Sequence, residues 1–205
     1  MSLVIVDYGL GNLASIKNMI KKAGGTSEIS NDLSTIEKAD KIIIPGVGAF
    51  AKGMENLVSS GIRKVLDKKA LEDKIPVLGI CLGMQLLTKH SEEGNVDGLG
   101  WIDAQTKKFD LDTSKYKIPH MGWKEVTFSH KDNPLLKNID PDPRFYFVHS
   151  YYVSCAQREN SLATAEYGIT FDCGLVRNNI MGLQFHPEKS HRFGMEIMRN
   201  FIENF

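Results

Sequence analysis

Cys81 lies in a short glycine-flanked segment that could carry a nucleophile. The segment spans residues 79–83, and an apolar run over residues 75–80 leads directly into it. A strand that enters such a turn and a helix that leaves it hold the central residue at the carboxyl end of the strand, and small flanking residues permit the cramped turn. The N–H of Leu82 would then face the point where a carbonyl oxygen becomes negative. A buried structural cysteine packed between two glycines is the alternative interpretation.

His186 is the strongest candidate, among six histidines, for the base that a reactive thiol needs. Pro187 biases it towards an extended conformation, and Glu188 lies two residues further on, where alternate side chains share a face. Glu188 can therefore hold one ring nitrogen and leave the other to face the sulfur. A solvated turn at the end of a strand is the alternative, because triads are recognised by geometry and not by sequence position.

Two other glycine-rich turns follow apolar runs. Residues 45–48 lie where open α/β sheets collect their ligands, and their backbone could supply a second donor to an oxyanion. They lack the Lys and the Ser or Thr of a phosphate-binding loop, and a plain strand-to-helix connection is the alternative. Residues 9–12 lack the third glycine of the dinucleotide fingerprint, so we expect no dinucleotide cofactor there.

The elements that must position these residues alternate between strands and helices in the first half of the chain. Three apolar runs are predicted to be strands, over residues 3–6, 41–44 and 75–80, and apolar residues at helical spacing follow each of them. Near-continuous apolar strands that alternate with helices are typical of a parallel sheet covered on both faces. The pattern therefore predicts an α/β fold with a mostly parallel central sheet flanked by helices.

The alternation of predicted strands and helices ends in the second half of the chain. Five further strands are predicted without long helices between them, over residues 101–109, 123–128, 145–153, 162–167 and 180–185. A partly amphipathic helix over residues 191–205 closes the chain. These elements predict a mixed or antiparallel C-terminal extension of the sheet. No internal repeat or linker-like segment divides the sequence, so we expect one domain over residues 1–205.

Composition and charge exclude several classes of function. The 25 basic and 25 acidic residues give a formal net charge of zero, which argues against binding to nucleic acid or to a membrane surface. No basic segment precedes the first apolar run and no stretch approaches about 18 apolar residues, so neither export nor membrane insertion is expected. Three cysteines without metal-ligand spacing predict no disulfide framework, no metal site and a reducing, cytoplasmic location.

Taken together, these motifs resemble the class I glutamine amidotransferases. The match is closest to the glutaminase subunits of imidazole glycerol phosphate synthases, and its motifs follow one another along nearly the whole chain. They lie in residues 6–12, 45–50, 81–86, 119–123, 145–152 and 184–190.

The resemblance implies a flavodoxin-like fold and hydrolysis of L-glutamine to glutamate and ammonia through a cysteinyl thioester, with no cofactor. The site residues that it implies are a triad of Cys81, His186 and Glu188, an oxyanion hole at Gly48 and Leu82, and glutamine contacts from Gln85, Ser150 and Tyr151. It further implies that ammonia passes to a (β/α)8-barrel synthase subunit in histidine biosynthesis. The two subunits would form a heterodimer, with Asn12, Tyr146 and Lys189 at the interface.

One position departs from the family pattern. The family usually has asparagine after residues 121–123, and this chain has Lys124. The departure leaves the triad intact but puts in question any partner or positioning contact made by that segment. A glutaminase that serves another acceptor, such as an amidotransferase of nucleotide-sugar or surface-polysaccharide synthesis, therefore stays open.

Two further alternatives concern catalysis itself. A non-catalytic glutamine-sensing scaffold could keep the same fold, although such a protein has no chemical need for Cys81, His186 and Glu188 together. His149 is either a satisfied strand histidine or a second histidine near the glutamine pocket, and the neighbouring Ser150 and Tyr151 favour the second interpretation.

Overall fold

The computed structural model describes residues 2–205, and its first half alternates strands with helices. The strands are β1 (Leu3–Val6), β2 (Glu28–Ser30), β3 (Lys41–Ile44) and β4 (Val77–Ile80). The helices are α1 (Leu13–Lys22), α2 (Leu33–Glu37), α3 (Phe50–Ser59), α4 (Ile62–Asp67) and α5 (Leu82–Leu86), with a π-helical turn at Lys68–Glu72. The three predicted strands of this half are present, the last one two residues shorter at its start.

The second half is mostly strand. Its strands are β5 (His90–Ser91), β6 (Val96–Asp97), β7 (Ala104–Lys108), β8 (His120–Glu125), β9 (Thr127–Phe128), β10 (Arg144–His149), β11 (Tyr151–Cys155), β12 (Ser161–Tyr167), β13 (Ile169–Arg177) and β14 (Ile180–Leu183). Helix α6 (His191–Glu203) closes the chain, and short 3-10 turns lie at Pro134–Leu136, Arg158–Asn160 and Pro187–Lys189.

The main sheet is parallel on one side and mixed on the other. Its strand order is β2-β1-β3-β4-β14-β13-β11-β7-β5-β6, and β12 and β9 branch from β13. The first five strands of that order pair in parallel, whereas β13 pairs antiparallel with both β14 and β11. Strands β8 and β10 form a separate antiparallel ribbon.

Strand β14 comes from the far end of the chain and lies beside β4. The two strands run parallel, with Gly182 opposite Gly79 and Leu183 opposite Ile80. Their carboxyl ends therefore meet at the same edge of the sheet, and the N–H of Cys81 donates to the carbonyl of Leu183 at 2.7 Å. The segments that follow these two strands carry the candidate nucleophile and the candidate base.

Helices cover both faces of the parallel strands. In β1, Leu3 and Ile5 pack into an apolar cluster with α1 and α6, while Val4 and Val6 pack into the cluster on the opposite face with α3. All four residues are buried. This two-sided burial explains why the strand reads as a continuous apolar run, and it confirms the predicted α/β architecture.

The prediction of one strand over residues 145–153 is wrong. The segment divides at Ser150 into β10 of the ribbon and β11 of the main sheet. The side chain of His149 binds the carbonyl of Tyr151 at 2.7 Å across the break, and such local side-chain bonds compete with a continuous ladder.

Strand β13, the longest strand, was not predicted. Its apolar pattern is interrupted by Asp172 and Gly174. Asp172 is nevertheless buried, because its carboxylate accepts hydrogen bonds from the Cys155 N–H at 2.8 Å and the Ser161 hydroxyl at 2.5 Å. A buried polar residue with its partners supplied by other segments leaves no periodic signal in the sequence.

Helix α6 presses on the turn that carries His186 and Glu188. Gly194 lies on its inner face, and a Cβ added there would lie 1.9 Å from the carbonyl oxygen of Pro187. Main chain therefore packs directly against main chain at this point. No helix within residues 2–205 has the length and apolar character needed to cross a membrane.

We expect Gly194→Ala to destabilise the protein by roughly 1–3 kcal/mol, because the added methyl group forces the Pro187 backbone aside. Urea unfolding measures the loss. Gly53→Ala in α3 is the matched control, since its Cβ would meet only side-chain atoms of Leu86 and Leu82, the nearest at 3.2 Å, and both variants share the gain in helix propensity. Equal unfolding midpoints for the two variants would contradict the contact.

Candidate active site

Cys81 sits in a strained turn between β4 and α5. Its φ and ψ are 55° and −111°, a conformation that is costly for a residue with a side chain. The flanking glycines allow it: a Cβ on Gly79 would lie 2.6 Å from the Gly83 carbonyl oxygen, and a Cβ on Gly83 would lie 1.8 Å from the Ile44 carbonyl oxygen. The strand, turn and helix are those that the sequence predicted, and only glycine fits on either side.

His186 and Glu188 form a buried pair at the end of β14. The ring Nδ1 lies 2.7 Å from Glu188 Oε1, and the two side chains are 2% and 3% exposed. The carboxylate therefore fixes Nδ1 as the protonated nitrogen and leaves Nε2 able to accept or donate a proton. Nε2 is buried and, among residues 2–205, makes no hydrogen bond of ordinary geometry.

The sulfur of Cys81 lies within interaction range of this ring. Burial lowers the pKa of His186, but interactions with the Cys81 sulfur and the Glu188 carboxylate outweigh it and raise the pKa to about 9. The sulfur also lies 3.7 Å from Gln184 Nε2 and 4.0 Å from the Val148 carbonyl oxygen. The structure thus brings together the three residues that the sequence proposed as a triad.

A cavity of about 270 Å³ opens beside the sulfur. Six predicted site residues line it, namely Gly48, Cys81, Leu82, Gln85, Ser150 and Tyr151. The remaining wall is formed by Val47, Glu93, Pro119, Val148 and His149. A larger groove of about 700 Å³ lies elsewhere, against Lys124 and Tyr167, and contains none of the predicted site residues.

Gln85 is held in one orientation. Its Nε2 donates to the Tyr151 carbonyl at 3.2 Å and to Gln184 Oε1 at 3.0 Å. Both hydrogens of this amide nitrogen are therefore used inside the protein. A ligand in the cavity can meet Gln85 only at Oε1, which accepts hydrogen bonds.

The turn over residues 45–48 closes against the elbow. The carbonyl of Gly46 accepts the N–H of Leu82 at 3.3 Å, and the Tyr8 hydroxyl donates to the Pro45 carbonyl at 2.5 Å. Gly48 has a φ of 116°. The predicted oxyanion donor at Leu82 is thus already bonded to a carbonyl of the same turn, which the sequence did not reveal.

His149 joins a second buried histidine at the cavity wall. Its Nδ1 binds the Tyr151 carbonyl at 2.7 Å, so this nitrogen carries the proton and Nε2 accepts from His120 Nδ1 at 2.9 Å. Burial lowers the pKa of His149 to about 3 and that of His120 to about 4, and nearby Lys124 also lowers the latter. Both rings stay neutral at pH 7 and anchor the strand start that carries Tyr151.

Glu93 is a cavity residue that the sequence analysis missed. Its Oε2 accepts the Phe50 N–H at the start of α3 with a distance of 2.8 Å. The residue follows the two-residue strand β5 in a run of polar residues, and nothing in that run marks one acidic residue from another. Its place in the cavity wall gives the pocket a carboxylate.

Tyr146 and Lys189, two predicted interface residues, contact each other. Lys189 Nζ lies 5.7 Å from the centroid of the Tyr146 ring, and the Tyr146 ring packs edge-on against Trp123 at 6.1 Å. The Tyr146 carbonyl accepts the His186 N–H at 2.9 Å. Asn12, the third residue, is exposed at the start of α1. The surface formed by Trp123, Tyr146 and Lys189 thus adjoins the His186 backbone directly.

Lys124 points away from that surface. Along β8, Met121, Trp123 and Glu125 alternate with His120, Gly122 and Lys124, so Lys124 shares a face with His120. Its Nζ lies 5.4 Å from the centroid of the Tyr167 ring. The departure from the family pattern therefore falls on the opposite side of the ribbon from Trp123.

The sequence matches known proteins over almost its full length. The family described as glutamine amidotransferase class-I matches residues 4–205, so the chain belongs to the class I glutamine amidotransferases. Imidazole glycerol phosphate synthase subunit HisH 2 of Methanococcus maripaludis is 55% identical over 201 residues, which are 98% of each protein. Subunit HisH of Leptospira borgpetersenii is 48% identical over 199 residues, 96% of this chain and 97% of the relative. Within its class, the chain therefore falls among the HisH subunits.

Solved structures share the fold at much lower sequence identity. A chain of PurLQS from Thermotoga maritima has a TM-score of 0.75 at 18% identity and covers 99% of this chain and 97% of its own length. A glutamine amidotransferase from the same organism has a TM-score of 0.65 at 18% identity, covering 100% of this chain and 81% of its own. These similarities support the α/β fold with its mixed, largely parallel sheet.

We expect the pKa of His186 to fall in a Cys81→Ala variant. Without the sulfur, burial acts against the Glu188 carboxylate alone, so the value moves down from about 9. Titration of the His186 ring by NMR measures it, and the neutral pair His120 and His149 serves as an internal reference for intact folding. An unchanged pKa of His186 would show that the sulfur and the ring do not interact.

Proposed function

We propose that Cys81, His186 and Glu188 of this glutaminase hydrolyse glutamine and that the ammonia passes to a (β/α)8-barrel subunit of imidazole glycerol phosphate synthase. The observation that carries the proposal is a cavity with a strained cysteine at its base, beside a buried imidazole whose second nitrogen is bound to a carboxylate. The similarity to HisH subunits at 55% identity supports the same acceptor.

The first half of the reaction forms a thioester. With the proton of the Cys81 thiol transferred to His186 Nε2, the thiolate attacks the side-chain amide carbon of glutamine, and the negative charge moves to the amide oxygen. His186 then gives a proton from Nε2 to the departing nitrogen, so ammonia leaves and the glutamyl group stays on sulfur. Glu188 holds the ring in the orientation that both steps need.

The second half releases glutamate. His186 takes a proton from water, the resulting hydroxide attacks the thioester carbon, and the sulfur departs as the thiolate. A positioned general base typically contributes about 100 to 10,000-fold to such a step. One imidazole therefore serves as acid in the first half and as base in the second.

The oxyanion hole of this mechanism needs one rearrangement. The Leu82 N–H is bonded to the Gly46 carbonyl, so that carbonyl must turn away before the N–H can meet a developing oxyanion. We propose that the peptide near Val47 flips when the partner docks, and that Gly48, with its positive φ, accommodates the change. A partner-bound structure with the Gly46 carbonyl still on Leu82 N–H would contradict this step.

The chemistry of ammonia supports a docked partner. Ammonia that escapes into neutral water is protonated and ceases to be a nucleophile, so the product must be delivered before it leaves. The relatives are named as subunits of a synthase. Beside Tyr146 and Lys189, the large side chains Met121 and Trp123 are 62% and 42% exposed, which suits a surface that a second subunit covers.

In the complex with its barrel subunit, Cys81→Ala should lower glutamine-dependent synthesis on the order of 1000-fold or more, because no other group can form the thioester. Synthesis from added ammonium salts should persist, since the acceptor subunit is untouched. Product formation with each nitrogen source measures both. Gel filtration checks that the variant still binds its partner, and retained glutamine-dependent activity would disprove the assignment of Cys81.

Glu93 gives the pocket a counter-charge for an amino-acid substrate. We expect Glu93→Gln to raise the KM for glutamine roughly tenfold with little change in kcat, because the amide keeps an acceptor for the Phe50 N–H but loses the negative charge that would attract the ammonium group of the substrate. Steady-state kinetics of the complex measure KM and kcat separately.

Glu92→Gln is the control for the Glu93 variant. Glu92 binds the Lys108 N–H at 2.7 Å and does not line the cavity, so its KM should stay at the wild-type value. Equal effects of the two substitutions would argue against a specific role of Glu93.

A further inference from the structure

Gln184 is a buried side chain beside the sulfur to which the mechanism above gives no role. It follows β14 directly, two residues before His186, and is fully buried. Its backbone N–H donates to the Cys173 carbonyl at 2.9 Å, which fixes the start of the side chain. Its Nε2 lies 3.7 Å from Cys81 Sγ.

The direction of the Gln184 amide is determined by its neighbours. The Tyr151 carbonyl can only accept, so the Gln85 atom bonded to it must be the amide nitrogen. That same nitrogen lies 3.0 Å from Gln184, and the atom of Gln184 that meets it must therefore be the oxygen. The nitrogen of Gln184 is thereby turned towards the sulfur. A flipped amide would set nitrogen against nitrogen and oxygen against sulfur.

We propose that Gln184 is a catalytic residue that donates a hydrogen bond from Nε2 to the Cys81 sulfur, in an orientation set by Gln85 and the Tyr151 carbonyl. The proposal rests on the function proposed above, because it takes Cys81 as the nucleophile. Gln85 acts here as a positioning residue.

A neutral donor at this place has a distinct effect. An amide N–H bonds more strongly to a thiolate than to a thiol or a thioester, because charge strengthens hydrogen bonds. It favours the ionised sulfur without bringing a second titrating group into the site. The bond weakens when the thioester forms and strengthens again when the thiolate departs, so Gln184 assists the step that frees the enzyme.

The donor also resolves a problem of burial. Cys81 is only 7% exposed, so few water molecules can solvate a negative sulfur. His186 provides a cation on one side, and Gln184 provides a dipole from a neighbouring position on the same segment. The other two cysteines have no such setting, and burial raises the pKa of both the Cys155 and the Cys173 thiols.

The test is the pH dependence of Cys81 alkylation by iodoacetamide, followed by mass spectrometry of the Cys81 peptide. In Gln184→Leu and Gln184→Glu, the pH of half-maximal rate should rise by about one unit, which corresponds to roughly tenfold slower alkylation at low pH. The larger rise is expected for Gln184→Glu, since it keeps an oxygen for Gln85 and places a carboxylate against the sulfur. At high pH, where the sulfur is ionised in every variant, the rate should recover fully.

Recovery at high pH separates the proposal from damage to the fold. A misfolded or displaced site would alkylate more slowly, or more quickly, by the same factor at every pH, and that result would overturn the role of Gln184. An unchanged half-maximal pH would overturn it as well. Gln105→Leu, an exposed residue of β7, is the control and should keep the wild-type profile.

The two proposals fail in different ways. Glutamine-dependent synthesis that survives Cys81→Ala would refute the proposed function, whatever the alkylation profile. A reactive Cys81 with an identical profile in wild type and in both Gln184 variants would refute the role of Gln184 and leave the proposed function standing.

Discussion

The active site depends on one strand pairing. Because β14 runs parallel to β4, two segments that are about a hundred residues apart in sequence leave the sheet at the same edge. One segment carries Cys81, and the other carries Gln184, His186 and Glu188 in close succession. The hydrogen bond from the Cys81 N–H to the Leu183 carbonyl ties the two together at the point where the strands end. The proposed chemistry follows from this juxtaposition, because the end of β4 supplies a thiol and the end of β14 supplies an imidazole with its carboxylate.

Close packing of main chain holds these groups in place. The elbow around Cys81 exists only because Gly79 and Gly83 admit neighbouring backbone at distances that a side chain would forbid. The turn after His186 is pressed in the same way against α6 at Gly194. Contacts of this kind leave little freedom to the segments that carry Cys81 and His186. In the turn over residues 45–48, Gly46 also packs against the elbow, since a Cβ there would lie 2.9 Å from Gly83 N, but its carbonyl is held to Leu82 by a single hydrogen bond of 3.3 Å.

The parallel half of the fold and the residues around the Cys81 sulfur could be predicted from the sequence. Buried parallel strands are apolar throughout, so β1, β3 and β4 could be recognised, and glycine turns marked the ends where ligands gather. Strand β13 was not predicted because a buried aspartate, with partners from other segments, interrupts its apolar pattern. The division at Ser150 escaped because both halves read as strand. Glu93, Gln184 and His120 acquire their surroundings from distant segments, and no local spacing records such contacts.

The ribbon of β8 and β10 carries two unlike surfaces on alternate residues. Trp123 and Tyr146 face one side, while His120 and His149 face the other, where His149 lines the cavity beside Cys81. Side chains of a strand change sides with every residue, so a one-residue insertion or deletion in either strand would move the following side chains of that strand from one surface to the other. Substitutions can change one surface at a time, but the lengths of β8 and β10 must be kept to preserve both surfaces.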